Sequence, residues 1–259
     1  MVPTLAPGHG DALARAAIRE GADLILVLGG DGSIHEAVNG MIGSQVPLGV
    51  LPGGTANVLC NELGFGGNLE RAAERLGRSV ERRIAVGLLS HANGDQRHFL
   101  LMGGAGLDAK IVHDVRAALK ARAGKLSYWV AGLSQIGRRV SGFEIRVNGA
   151  THRCGFLLIS RVRNYGGDLE IASGASLLSP DFEAVWFEGS SSLRYAWYML
   201  GVAARRVQRM RGVHTARTSR VEFLSEVDTQ IDGEYAGRTP AHIEIVADAL
   251  TLLVPEAYG

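Results

Sequence analysis

The chain has 259 residues and a mass of 27.5 kDa, enough for one large domain or two modest ones. It is 46% hydrophobic and 20% charged, with 27 basic against 26 acidic side chains, which excludes a disordered chain and gives no global field for nucleic acid. Two cysteines exclude a disulfide scaffold, no run reaches the roughly 18 apolar residues of a membrane span, and MVPTLAPGHG lacks a secretory pattern, so a cytoplasmic enzyme or binding module is expected.

In chain order, residues 11–20 space Leu13, Ala16, Ala17 and Glu20 as a helix that stops at Gly21. Residues 23–28 are a continuous apolar run, as in a buried parallel strand. A glycine-rich turn over 29–33 leads to a helix over 34–41, with Ile34, Ala37, Val38 and Met41 on one side. A second buried strand over 48–51, a second glycine turn over 52–55 and a helix over 56–63 repeat the unit, and 69–76 closes it. This alternation predicts an α/β domain with a parallel sheet over residues 1–83. Beyond it, short strand-like runs dominate: 82–89, 98–102, 143–147, 155–160, 182–187, 220–224, 242–246 and 250–254. They predict a β-rich, sandwich-like domain over 84–259, interrupted by helices near 108–139 and 193–211.

Charge is uneven. Residues 115–143 hold six basic residues and no acid, and 190–221 hold seven arginines and no acid. The second run also carries Tyr195, Trp197 and Tyr198. A basic, aromatic-bearing helix suits an anionic membrane surface, or it turns its aromatics inward as an ordinary surface helix does.

The chemistry concentrates in the two glycine turns. Each follows a strand at its C-terminal edge, where open α/β sheets bind ligands. Backbone N–H groups there and at the next helix start attract phosphate. Asp31 would repel phosphate unless a divalent cation intervenes or its oxygens accept loop or ribose hydrogen bonds. The loop is neither a Walker loop nor GxGxxG. In the second turn Thr55 suits a helix cap or a phosphate contact, and Asn57 a backbone or ligand contact. Asp232 and Glu234 stand on alternate residues of a strand–turn, which would face both to one side, while Asp232-Gly233 alone reads as a hairpin turn. The eight histidines show no metal spacing, and Cys60 reads as core.

Together GGDGS at 29–33, Glu36, and PGGTAN at 52–57 resemble the diacylglycerol kinase catalytic domain family, and within it the soluble bacterial lipid kinases. The likeness continues through Thr4–His9, Gly104–Ala109, Asn164–Gly167, Asp232-Gly233-Glu234 and the closing strand Leu250–Pro255. It implies phosphoryl transfer from ATP with Mg²⁺ to the hydroxyl of a lipid alcohol such as diacylglycerol, a reaction in which protein groups chiefly position and offset charge. By the resemblance, Asp232 or Glu234 is the proton acceptor. Thr4, Gly29, Gly30, Asp31, Gly32, Ser33, His35, Glu36, Gly54, Thr55 and Asn57 line the nucleotide, and Asp31 and Asp108 help hold its metal. An amphipathic substrate implies peripheral contact with a membrane.

The chain departs from the family pattern in three places. It starts after the family's first strand and helix, which would leave a sheet edge open and could favour a homo-oligomer. The place of an Asp-Gly linked to a structural Mg²⁺ is taken by Ser179-Pro180, so Ser176, Ser179 and Asp181 are left as a weak metal set. Val58 stands where some members carry Asp. Two alternatives follow: a degenerate lipid- or nucleotide-binding relative, or a soluble-substrate kinase of the NAD kinase or phosphofructokinase type.

Overall fold

The computed structural model describes residues 1–107, 109, 141–166 and 169–258. Asp108, the helix expected over 108–139 and all six cations of the basic run in 115–143 lie outside these residues.

The first part begins with α1 (His9–Arg19), β1 (Ile25–Gly29), α2 (Asp31–Met41) and β2 (Leu48–Pro52). Then come α3 (Val58–Glu62) and α4 (Leu69–Leu76). β1 and β2 pair in parallel, from Ile25 opposite Leu48 to Gly29 opposite Pro52. β2 is buried along its length, as its apolar run predicts. The run at 23–28, read as a buried strand, instead forms an edge strand. Ile25 and Val27 face the core, while Leu26 and Leu28 are 50% and 51% exposed because no described strand or helix covers that face.

The 29–33 turn is also shorter than the sequence implies. Asp31, Gly32 and Ser33 already form the first turn of α2, and Gly30 caps it in extended conformation. In contrast α3 starts late, because Asn57 adopts a left-handed φ of 46°.

Long strands join this part to the second. β3 (Ser79–His91) pairs antiparallel with β16 (Ala241–Pro255) almost end to end, so the boundary expected near residue 83 falls within β3. The two strands expected at 242–246 and 250–254 are one, with a register irregularity between Val246 and Leu250. Leu252 in β16 pairs in parallel with Leu48, so the sheet is mixed. β13 (Arg220–Phe223), β6 (Phe143–Val147) and β7 (Ala150–Cys154) extend it beyond β16, and β4 (Gln96–Phe99) pairs with β3.

The second sheet holds β12 (Val213–Thr218), β11 (Phe182–Phe187), β8 (Phe156–Ser160), β5 (Met102–Gly106), β14 (Asp228–Ile231) and β15 (Glu234–Arg238), in that order, while β9 (Asn164–Tyr165) and β10 (Leu169–Glu170) form a small antiparallel pair of their own. Its inner strands β5, β8 and β11 are buried along their length because both faces are covered. Leu157, Ile159, Phe182, Ala184 and Trp186 point into the sandwich with Ile145, Val221 and Ile243. Alternate residues Phe156, Leu158, Val185 and Phe187 join the larger core under α5 (Ser192–Ala203). The helix expected over 193–211 thus ends early, and Arg205 turns the chain with a φ of 52°. The architecture is an α/β part with a mixed sheet, followed by a β-sandwich-like part.

Candidate functional site

The two glycine turns lie side by side at the C-terminal ends of β1 and β2. The Gly53 N–H donates to the Gly29 carbonyl at 2.9 Å. A Cβ on Gly53 would stand 3.0 Å from Gly29 Cα, and one on Gly54 would stand 2.5 Å from Gly30 Cα. These glycines are therefore required by backbone against backbone; none has a positive φ.

Polar side chains fix the turns from behind. Asn57 Oδ1 accepts from Gly54 N–H at 2.8 Å, and its Nδ2 donates to the Gly54 carbonyl at 2.9 Å. Asp31 accepts from the N–H groups of Val58 and Leu59 at 3.0 and 3.2 Å. Burial raises the Asp31 pKa, those two bonds oppose the rise, and the charge of Asp232 adds to it. Glu36 accepts from Gly8 and Gly10 N–H at 2.8 and 2.9 Å, holding the loop before α1. Gly32, Gly53, Gly54 and Thr55 remain exposed, with Ser33 half-buried. Thr55 makes no cap bond, since Asn57 holds the cap position of α3. Thr4 lies exposed on the segment before α1.

A second set of groups arrives from the other part. Asp232 and Gly233 form the two-residue turn between β14 and β15, with φ of 46° and 78° and Ile231 opposite Glu234. The buried Asp232 carboxylate accepts from Leu100, Leu101 and Met102 N–H at 2.8, 2.8 and 3.0 Å. Its Oδ2 also lies 3.0 Å from His35 Nδ1. His35 Nε2 lies 3.3 Å from Arg97 Nη2, which in turn donates to Glu234 Oε2 at 3.1 Å. With a proton on Nδ1, His35 donates to Asp232 and accepts from Arg97. The row Asp232, His35, Arg97, Glu234 thus runs from the buried interior to a half-exposed carboxylate. Glu234 Oε1 would stand 3.8 Å from a Cβ on Gly32.

The two acids expected to share a side therefore point apart. Asp232 turns inward to four donors, and Glu234 turns to the glycine turn. Arg97 was not visible in sequence: it lies in a polar stretch, Gln96-Arg97-His98, and meets His35 and Glu234 only through the fold.

Sequence comparison fits this geometry. Residues 1–89 match the diacylglycerol kinase catalytic domain, and residues 103–254 match the YegS C-terminal NAD kinase beta sandwich-like domain. The chain belongs to the YegS-type diacylglycerol kinase family. It is 28% identical over 252 residues to a Bacillus subtilis diacylglycerol kinase, covering 91% of this chain and 80% of that one. It is 26% identical over 249 residues to one from Mycobacterium tuberculosis, covering 94% and 80%. A crystal structure of a Bacillus anthracis diacylglycerol kinase superposes with a TM-score of 0.77 at 20% identity, covering 99% and 85%, a likeness of fold.

The loop expected to hold a structural cation in this family differs here. Ser176 Oγ accepts from Leu178 N–H at 3.2 Å, and the Asp181 carboxylate pairs with Arg217. The space among the loop carbonyls belongs to Arg161, whose side chain is fully buried. Its guanidinium donates to the carbonyls of Leu177, of Ser179 at 3.1 Å and of Asp181 at 3.4 Å. Burial pushes the Arg161 pKa down to about 10, while Tyr258 and Asp181 oppose the fall. A guanidinium on those carbonyls, with Arg217 on the one carboxylate, does not fit a divalent cation. Leu177 N–H in turn donates to Tyr258 Oη at 3.2 Å, and that hydroxyl donates to Glu62 at the end of α3 at 2.9 Å.

Proposed function

We propose that this chain is a lipid kinase that transfers the γ-phosphate of ATP to the hydroxyl of a lipid alcohol such as diacylglycerol. The observation that carries the reading is the approach of Glu234, from the sandwich part, to Gly32 in the first turn of α2, next to the paired glycine turns of the α/β part. In this reading residues 1–83 hold the nucleotide and residues 84–259 bring the acceptor. The start of α2 at the exposed Gly32 and the half-buried Ser33 offers backbone N–H groups to phosphate, and Gly53 and Gly54, whose own N–H groups hold the turns, leave the approach clear of side chains. Thr4, Ser33 and Thr55 add hydroxyls nearby. Asn57 keeps the second turn in shape and Glu36 holds the loop before α1, each through backbone groups.

Proton transfer falls to Glu234. Both Asp232 oxygens are taken by buried backbone donors and turned away from the glycine turns, so Asp232 does not reach an acceptor hydroxyl there. Glu234 reaches the cleft, and Arg97 orients it. Asp232 acts through His35 and Arg97, fixing the row on which Glu234 depends. Mg²⁺ carried by the nucleotide would offset phosphate charge. Asp31 fits a share in holding it, because each of its oxygens keeps a second lone pair. No group of three or more His, Cys, Asp or Glu side chains that could hold a metal occurs among the described residues.

The test is transfer of labelled phosphate from ATP to diacylglycerol in mixed micelles, beside NAD and sugar phosphates. A labelled lipid supports the reading. Label in a soluble acceptor alone, or nucleotide binding with no product from folded protein, overturns it.

A further inference from the structure

α5 is apolar on two faces, and the fold uses only one. Tyr195, Tyr198 and Val202 are 6%, 1% and 1% exposed, and the two tyrosine rings stand 6.4 and 5.0 Å from Phe187. The sequence left open whether this helix turns its aromatics inward or outward; it does both. On the opposite side Leu193, Trp197 and Leu200, spaced four and three residues apart, are 74%, 61% and 62% exposed. An indole and two leucines on one helix face form a continuous apolar stripe in water.

The surroundings of this stripe are basic. Arg205 and Arg206 follow directly at the end of α5, and Arg209 and Arg211 lie on the next turn of chain; all four are exposed. None of the four forms an ion pair among the described residues, and no acid occurs between 190 and 221. Arg217 and Arg220, later in the run, are spent on Asp181, Glu222 and Glu244.

An exposed tryptophan between leucines, edged by unpaired arginines, matches an anionic lipid surface: acyl chains take the apolar stripe and headgroups take the guanidinium groups. A second copy of the chain matches it poorly, since a two-fold contact on this face would bring the same arginines together. We propose that the outer face of α5, Leu193, Trp197 and Leu200 with the arginines at 205–211, docks the protein on anionic membranes. The proposal deepens the lipid-kinase reading by naming its membrane contact, and it is measured without ATP.

The experiment is flotation of the full chain with phosphatidylcholine vesicles with and without phosphatidylglycerol, with tryptophan emission recorded. The chain is expected to float with anionic vesicles only, to be released by high salt, and to shift Trp197 emission to shorter wavelength. Leu193→Ser/Trp197→Ser/Leu200→Ser and Arg205→Glu/Arg206→Glu should each weaken binding at least about tenfold. Both should leave turnover of detergent-dispersed lipid, or nucleotide binding, unchanged and melt like the parent. Equal binding by the variants, or binding indifferent to anionic lipid, overturns the proposal. So does a parent dimer that the triple variant dissolves, which would make the stripe a self-interface. Vesicle binding by a folded parent chain that phosphorylates no lipid would refute the kinase reading and leave the docking face standing.

Discussion

Replacing Asp232 with Ala should cost the fold, whereas replacing Glu234 with Gln should cost only turnover. Asp232 holds three backbone N–H groups at 2.8–3.0 Å in the interior, and its loss leaves all three without acceptors. Each buried unsatisfied donor costs about 1–3 kcal/mol, and partial relaxation brings the sum to about 3–5 kcal/mol. Asp232→Asn keeps one acceptor oxygen but sets an amide N–H against a backbone N–H, at about 2–3 kcal/mol. Against a typical total of about 5–15 kcal/mol, the Ala variant is marginal at best. Glu234 is half-exposed and bonded to Arg97, so Glu234→Gln should stay within about 1 kcal/mol of the parent. Urea unfolding of the three variants measures this directly. An Asp232→Ala protein as stable as the parent would refute the assignment of Asp232 to structure.

Further outcomes follow from other contacts. Gly54→Ala puts a methyl 2.5 Å from Gly30 Cα, so the turns must part; stability should fall by about 1–3 kcal/mol and nucleotide affinity should drop sharply, as calorimetry with ATP would show. Arg161→Met should lower the melting temperature markedly, while chelators or added Mg²⁺ should leave the nucleotide-free parent's melting unchanged; a rise of several degrees with Mg²⁺ would contradict the guanidinium's role. Burial, with Asp31 adding, pushes the Cys60 thiol up to about 12. A raised thiol pKa means less thiolate, so at pH 8 neither buried cysteine should react with iodoacetamide until the protein is unfolded.

Much of this was legible in the sequence because it rests on local chemistry. The strand, glycine turn and helix repeat fixed β1, α2 and β2 to within two or three residues. The motifs singled out Asp31, Gly53-Gly54 and Asp232–Glu234, which the fold gathers around the first turn of α2. What escaped depends on distant contacts. β12 and β15 have mixed, polar sequences and are strands only because neighbours accept their ladders. β1 looks buried until its open edge is seen. Arg97 and Arg161 carry no motif, and their partners lie across the fold or in another loop. The split between Asp232 and Glu234 arises from a left-handed turn that two-residue alternation does not anticipate.

Lipid phosphorylation with Glu234 as proton acceptor is tested by mass-spectrometric detection of phosphorylated lipid alongside ADP, for the parent and Glu234→Gln. One lipid phosphate should form per ADP, with the rate about 10²–10⁴-fold lower in a fully folded Glu234→Gln. ADP released without phosphorylated lipid, or a Glu234→Gln rate equal to the parent's, would contradict it.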